Sequence, residues 1–128
     1  MNKLGDLSCN EFLTELASAA PAPGGGGGAA MAGALAAALA SMVANLTIGK
    51  EKFAECEPEV KELLKQAEAE RVRLLTLVDE DAAVFNSFMS CYKLPKTTDE
   101  EKAARTAAIR AAAKQAATVP LNIARSSF

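Results

Sequence analysis

Residues 21–50 read PAPGGGGGAAMAGALAAALASMVANLTIGK, and their reading decides the fold class. Five glycines, Gly24 to Gly28, open into an alanine-rich segment that carries no charge before Lys50. Alanine is the strongest helix former, so the segment predicts a helix that starts within residues 28–30 and ends before Gly49, a residue suited to a left-handed C-terminal cap. Its faces differ. Met31, Leu35, Leu39, Val43 and Leu46 recur at helical spacing as a large apolar stripe, while Ala29, Gly33, Ala37 and Ser41 form a ladder of small residues. Such a ladder lets a second helix approach closely, within or between subunits, and predicts a central, buried helix. The glycines ahead of it expose their peptide N–H groups at the positive end of the helix dipole, where anions are favoured.

Around this stretch the chain has 128 residues, one domain's worth, half of them hydrophobic but only 5% aromatic and none tryptophan. Abundant alanine with few β-formers points to close-packed helices. Acidic and basic residues are interleaved to a net charge of −2, which leaves no nucleic-acid footprint. Histidine is absent, so serine–histidine triads and histidine-built zinc sites are excluded. Cys9, Cys56 and Cys91 match neither a metal knuckle nor a disulfide framework and read as free thiols of a cytoplasmic protein. The amino terminus, MNKLGDLSCNEFLTEL, is interrupted by acids too early for a signal peptide. Residues 29–48 are uncharged and about long enough to span a bilayer. They are mostly alanine and glycine, with Ser41, Asn45 and Thr47 toward one end, so a buried helix is expected and no membrane.

Elsewhere the pattern is helical throughout. Ser8 and Glu11 have capping-box spacing, with Leu7 and Phe12 placed as a hydrophobic staple, predicting a helix to about Ala20 that Pro21 and Pro23 stop. Pro58 suits the first turn of a long amphipathic helix from Glu59 to Tyr92 with a stripe of Val60, Leu64, Ala67, Leu74, Val78, Phe85, Met89 and Tyr92. Arg71 interrupts this stripe, marking either a kink or an aliphatic stem laid over apolar surface. Thr98 and Glu101 repeat the capping box before a third long helix, Asp99 to about Thr118, with Ala104, Ala107, Ala108, Ala111 and Ala112 on its apolar side. Pro120 is expected to break or kink it, leaving Leu121 and Ile123 little to pack against. The fold class is all-α: a bundle of long helices around the Ala/Gly-rich helix.

The glycine run does not satisfy GxxxxGK[ST], because Ala29 and Ala30 follow it. Gly24, Gly26 and Ala29 match the dinucleotide fingerprint only formally, with no strand before them. Asp81 falls on or beside the apolar stripe, three residues after Val78 and four before Phe85, whereas Asp79 and Glu80 point elsewhere. Apolar surroundings and neighbouring acids disfavour its ionisation and make it a candidate proton donor and acceptor; pairing with a lysine or arginine is the alternative. Lys50, at the carboxyl end of the apolar helix, is favoured there by the dipole and is a candidate at a pocket rim for binding a carboxylate. Asn45, one turn earlier, needs a partner if buried, and a ligand is one candidate.

At these residues the chain resembles the cyclodeaminase domain of the formiminotransferase-cyclodeaminase family, shared with methenyltetrahydrofolate cyclohydrolases. PAPGGG, AAMAGALAAALASMVANLTIGK, DEDAAVFNSFM, LPK and ATVPLNIA occur in the family's order and cover nearly the whole chain. The resemblance implies an all-helical, cytosolic, homodimeric enzyme with a tetrahydrofolate derivative as substrate and no metal or other cofactor. It would cyclise formiminotetrahydrofolate with loss of ammonia or hydrate methenyltetrahydrofolate to formyltetrahydrofolate. It further implies substrate binding by Pro23, Gly24, Gly25, Gly26, Asn45 and Phe85, and catalysis by Asp81 as acid/base with Lys50 as electrostatic partner. The family has serine where this chain has Gly27 and a larger residue where it has Gly28, which implies a looser turn. Family domains also continue through further helices after VPLNIA, so residues 1–128 are expected to be a single helical domain lacking those C-terminal helices. A non-catalytic helical dimerisation module is the alternative reading, and a small membrane-associated protein built on residues 29–48 is a third.

Overall fold

A computed structural model describes residues 3–128, and among them every regular element is helical. Helix α1 spans Cys9–Ala17, α2 Gly24–Thr47, α3 Glu57–Cys91 and α4 Asp99–Ser126, with single 3₁₀ stretches at Leu4–Asp6 and Glu51–Cys56. The all-α class is therefore observed. Both capping boxes form: Ser8 Oγ accepts from the Glu11 amide at 3.2 Å and Thr98 Oγ1 from the Glu101 amide at 3.1 Å, with each glutamate reaching back to its cap. Gly49 adopts φ +81° just beyond α2, as a left-handed terminus requires, and Pro58 sits in the first turn of α3.

Three boundaries depart from expectation. Helix α1 ends at Ala17, where the Ser18 hydroxyl bonds back to the Glu15 carbonyl at 2.7 Å. Helix α2 begins at Gly24, so the glycines form its first turns instead of a turn preceding it. Their low propensity, about 1 kcal/mol each relative to alanine, is overridden by packing. A methyl on Gly27 would stand 3.0 Å from Pro23 Cβ, and one on Gly28 3.2 Å from Leu16 Cδ2, so these positions are tighter than the expected loose turn. Helix α4 runs unbroken through Pro120 to Ser126. Losing one backbone bond to proline costs about 3 kcal/mol. Val119 and Ile123, both buried, offset it at about 1.5–3 kcal/mol each. Ile123 is thus a core residue, and only Leu121 is left exposed, at 51%.

The core comprises Phe12, Ala30, Ala34, Leu74, Leu77, Val78, Val119 and Ile123. It lies where α2 and α4 cross α3, and α2 gives it only alanines. A Cβ on Gly33 would meet Leu74 Cδ1 at 3.1 Å and Ser127 Oγ at 3.0 Å, so this rung of the small-residue ladder does admit close neighbours. Ser41, another rung, is buried, with its hydroxyl unpartnered. The large stripe does the opposite of what was expected. Leu35, Leu39, Val43 and Leu46 are each more than half exposed, and Met31 alone packs on the core, so α2 is buried along one face and not all round. The apolar positions of α3 split similarly: Leu74 and Val78 are buried, whereas Phe85, Met89 and Tyr92 are exposed. Arg71 marks no kink; it donates to Glu68 at 2.8 Å within a continuous helix. That pairing, with the Ser41 hydroxyl alongside, holds the Glu68 carboxyl down at about 2.

Candidate active site

Two elements meet at the best-supported candidate. The backbone bends into α2 through Pro23, which is buried, and Gly24, whose φ of +61° strains any other residue. On α3, the same face that buries Leu74 and Val78 carries Asp81 one turn further on, directly against this start of α2. Gly26 makes the approach possible. A methyl there would come within 2.6 Å of the Asp81 carboxyl carbon, a distance no real Cβ tolerates. The anion attracted to the glycine-rich helix start is therefore supplied by the protein itself.

Burial raises the Asp81 pKa above the ordinary aspartate value, and the Gly27 backbone amide, aimed at the carboxylate, pulls the other way. The raised value agrees with the expectation of disfavoured ionisation, and no lysine or arginine partners the group among the described ion pairs. Asp79 does point elsewhere: it accepts the Leu4 amide at 2.7 Å and pins the N-terminal 3₁₀ stretch to α3. Gly24 and Gly25 face open space, since a Cβ at either meets nothing within 4 Å. Phe85, one turn beyond Asp81, is 38% exposed and presents apolar surface beside it.

Of the expected site residues, the structure thus gathers Pro23, Gly24, Gly25, Gly26, Asp81 and Phe85 at one end of α2. Asn45 and Lys50 lie at the other end, about 35 Å away along the helix axis. Both are exposed, so Asn45 needs no buried partner. Nor is Lys50 at a pocket rim: the cleft at that end, about 540 Å³ between α2 and α3, is lined by Val43, Thr47, Val60, Leu63 and Glu70, without Lys50. Gly26 also changes role, because its missing side chain makes room for Asp81 and not for a ligand. Sequence offered no signal for this, as the partner is 55 residues away, the difference between positions 81 and 26. A cleft of about 390 Å³ near Glu80, Val84, Gln115 and Asn122 opens between α3 and α4 and leaves Asp81 out.

Fold and site together define an all-helical protein that holds a partly desolvated carboxylate against a glycine-rich helix start. The profile of the formiminotransferase-cyclodeaminase family matches residues 8–128, and the chain belongs to that family. It is 50% identical over 121 residues to a methenyltetrahydrofolate cyclohydrolase of Methylorubrum extorquens, covering 94% of this chain and 58% of the relative. It is 40% identical over 119 residues to the formimidoyltransferase-cyclodeaminase of Rattus norvegicus, covering 93% of this chain and 22% of that one. The crystal structure of formiminotetrahydrofolate cyclodeaminase from Thermotoga maritima superposes with a TM-score of 0.80 at 34% identity, over 97% of this chain and 58% of that one. The chain therefore spans little more than half the length of the cyclohydrolase and of the solved cyclodeaminase.

Proposed function

We propose that this chain is a folate one-carbon enzyme that acts on the carbon bridging two nitrogens of a tetrahydrofolate derivative. The observation that carries this reading is Asp81, a carboxylate whose ionisation burial disfavours, held beside open backbone at Gly24 and Gly25 and the exposed ring of Phe85. A group of this kind serves as both acid and base near neutral pH. In hydration of a methenyl bridge, Asp81 takes a proton from the attacking water as the carbon–oxygen bond forms. It then returns the proton to the nitrogen that leaves, opening the ring to the formyl product. In the deaminating direction the attacking group is a folate nitrogen, the tetrahedral carbon is the same, and the proton goes to departing ammonia. Phe85 offers a flat surface for the pterin, and Pro23 with Gly24 and Gly25 shape the wall opposite it. The reading includes a cytoplasmic homodimer with no resident cofactor, consistent with free thiols at Cys9, Cys56 and Cys91.

Identity of 50% to the cyclohydrolase, against 40% and 34% to the two cyclodeaminases, makes hydration the first activity to assay. Methenyltetrahydrofolate and formiminotetrahydrofolate are supplied separately and the methenyl absorbance is followed. Decay with the first supports hydration, and growth with the second supports deamination. A well-folded sample that neither binds nor turns over either compound overturns the proposal.

A further inference from the structure

Two features of α2 are unaccounted for: its exposed apolar face, and the separation of Lys50 and Asn45 from Asp81. Leu35, Leu39, Met42, Val43 and Leu46 are 51–63% exposed on a helix that has no charged residue from Gly24 to Thr47. Together they leave roughly 500 Å² of apolar side chain in the open, large for a monomer and most of the ~800 Å² per partner in a standard interface. Alternating with them on the same face are Ala32, Ala36 and Ala40, also exposed.

We propose that a second copy of this chain covers the face, its α2 antiparallel to the first about a two-fold axis at Leu39, and that the partner's Lys50 thereby reaches the Asp81 end. Helical geometry supplies the argument. With Leu39 on the axis, Leu35 falls opposite the partner's Val43, Ala36 opposite the partner's Met42, and Ala32 opposite the partner's Leu46. Large side chains meet small ones at two of these levels, as a self-complementary surface requires. The absence of charge over the whole helix means that the two-fold brings no like charges together. The same register sets Gly28 opposite the partner's Lys50, within two residues of Gly26, where Asp81 packs. Leu16, 36% exposed and lying on Gly28, continues the apolar surface to that end. One packing arrangement thus buries the stripe and supplies the cation that a single protomer holds about 35 Å away. The lysine then serves a carboxylate of the substrate or the charge that develops at the reacting carbon. This inference rests on the proposed folate activity only for what Lys50 does, not for the interface.

Cross-linking reads the geometry without any activity. In a chain with Cys9, Cys56 and Cys91 replaced by serine, Leu39→Cys should form an interchain disulfide on mild oxidation, as should Ala32→Cys combined with Leu46→Cys; Leu46→Cys alone should not. Leu39→Glu should weaken association at least 100-fold in sedimentation velocity. A monomeric wild type, a parallel pairing that cross-links Leu46→Cys to itself, or α2 covered by a bilayer or by further residues of a longer chain overturns the proposal. The shared site is read by mixing Lys50→Ala and Asp81→Asn chains. Random exchange leaves half the dimers mixed, each with one intact site, so about a quarter of wild-type turnover should return. No recovery overturns the shared site. If the cross-links form while wild type turns over neither folate compound, the folate activity fails and the interface stands.

Discussion

Asp81 and Gly26 form a coupled pair, and their separate substitution distinguishes chemistry from packing. Asp81→Asn keeps the shape and removes the proton acceptor, so turnover should fall about 10²–10⁴-fold with binding retained. For the wild type, the basic form of Asp81 is populated only above its raised pKa. Turnover that uses it as base should therefore climb with pH through a value above the ordinary carboxylate range, a limb that the asparagine variant loses. Stability has the opposite sign. A raised folded-state pKa means that the native state holds the proton more tightly than the unfolded chain, so this contribution is greatest below the unfolded value and falls as pH rises through the folded one. Asp81→Asn should accordingly raise Tm at about pH 7 and leave it nearly unchanged at about pH 3, below the unfolded aspartate value. A lower Tm near neutrality would show that the helix start stabilises the anion more than burial penalises it. Gly26→Ala should destabilise the fold by about 1–3 kcal/mol because the carboxylate must shift. Gly25→Ala, which meets open space, should stabilise it by about 0.5–1 kcal/mol. Denaturant melts of the two variants should move in opposite directions.

At the scale of elements, the termini of α1 and α4 were legible because their signals are local. Ser8 with Glu11 and Thr98 with Glu101 satisfy backbone groups within their own turns, and no distant residue can alter that. Thr98→Ala should cost about 1 kcal/mol, read as a lower denaturation midpoint at unchanged slope. The start of α2 and the passage of α4 through Pro120 were not legible. Glycine and proline argue locally against helix at both places, and distant partners decide otherwise: Val78 and Leu16 pack on Gly27 and Gly28, and the buried Val119 and Ile123 carry α4 past its proline. The same limit explains Arg71, read as a possible kink and found paired with Glu68 on an unbroken helix.

At the scale of the molecule, a core that draws only alanine from α2 leaves that helix's leucines outside, and the consequence is association. If a second copy covers them, Tm should rise with protein concentration, because dissociation is linked to unfolding; a Tm independent of concentration over two decades would sink that expectation. Leu74→Ala, at the crossing of α2 and α3, should cost about 2–5 kcal/mol whatever the oligomeric state, since the cavity lies inside one protomer. By itself the sequence determined the helical class, the capped helix starts, the family resemblance and Asp81 as the carboxylate worth watching, because propensity, capping and periodicity act over a few residues. Only the tertiary structure decided which face of α2 is buried, that Gly26 exists to admit Asp81, and that Lys50 and Asn45 stand a helix length away. Each of these depends on contacts between residues far apart in the chain, and an alanine face and a leucine face of one uncharged helix look equally fit for a core until the neighbours are in place.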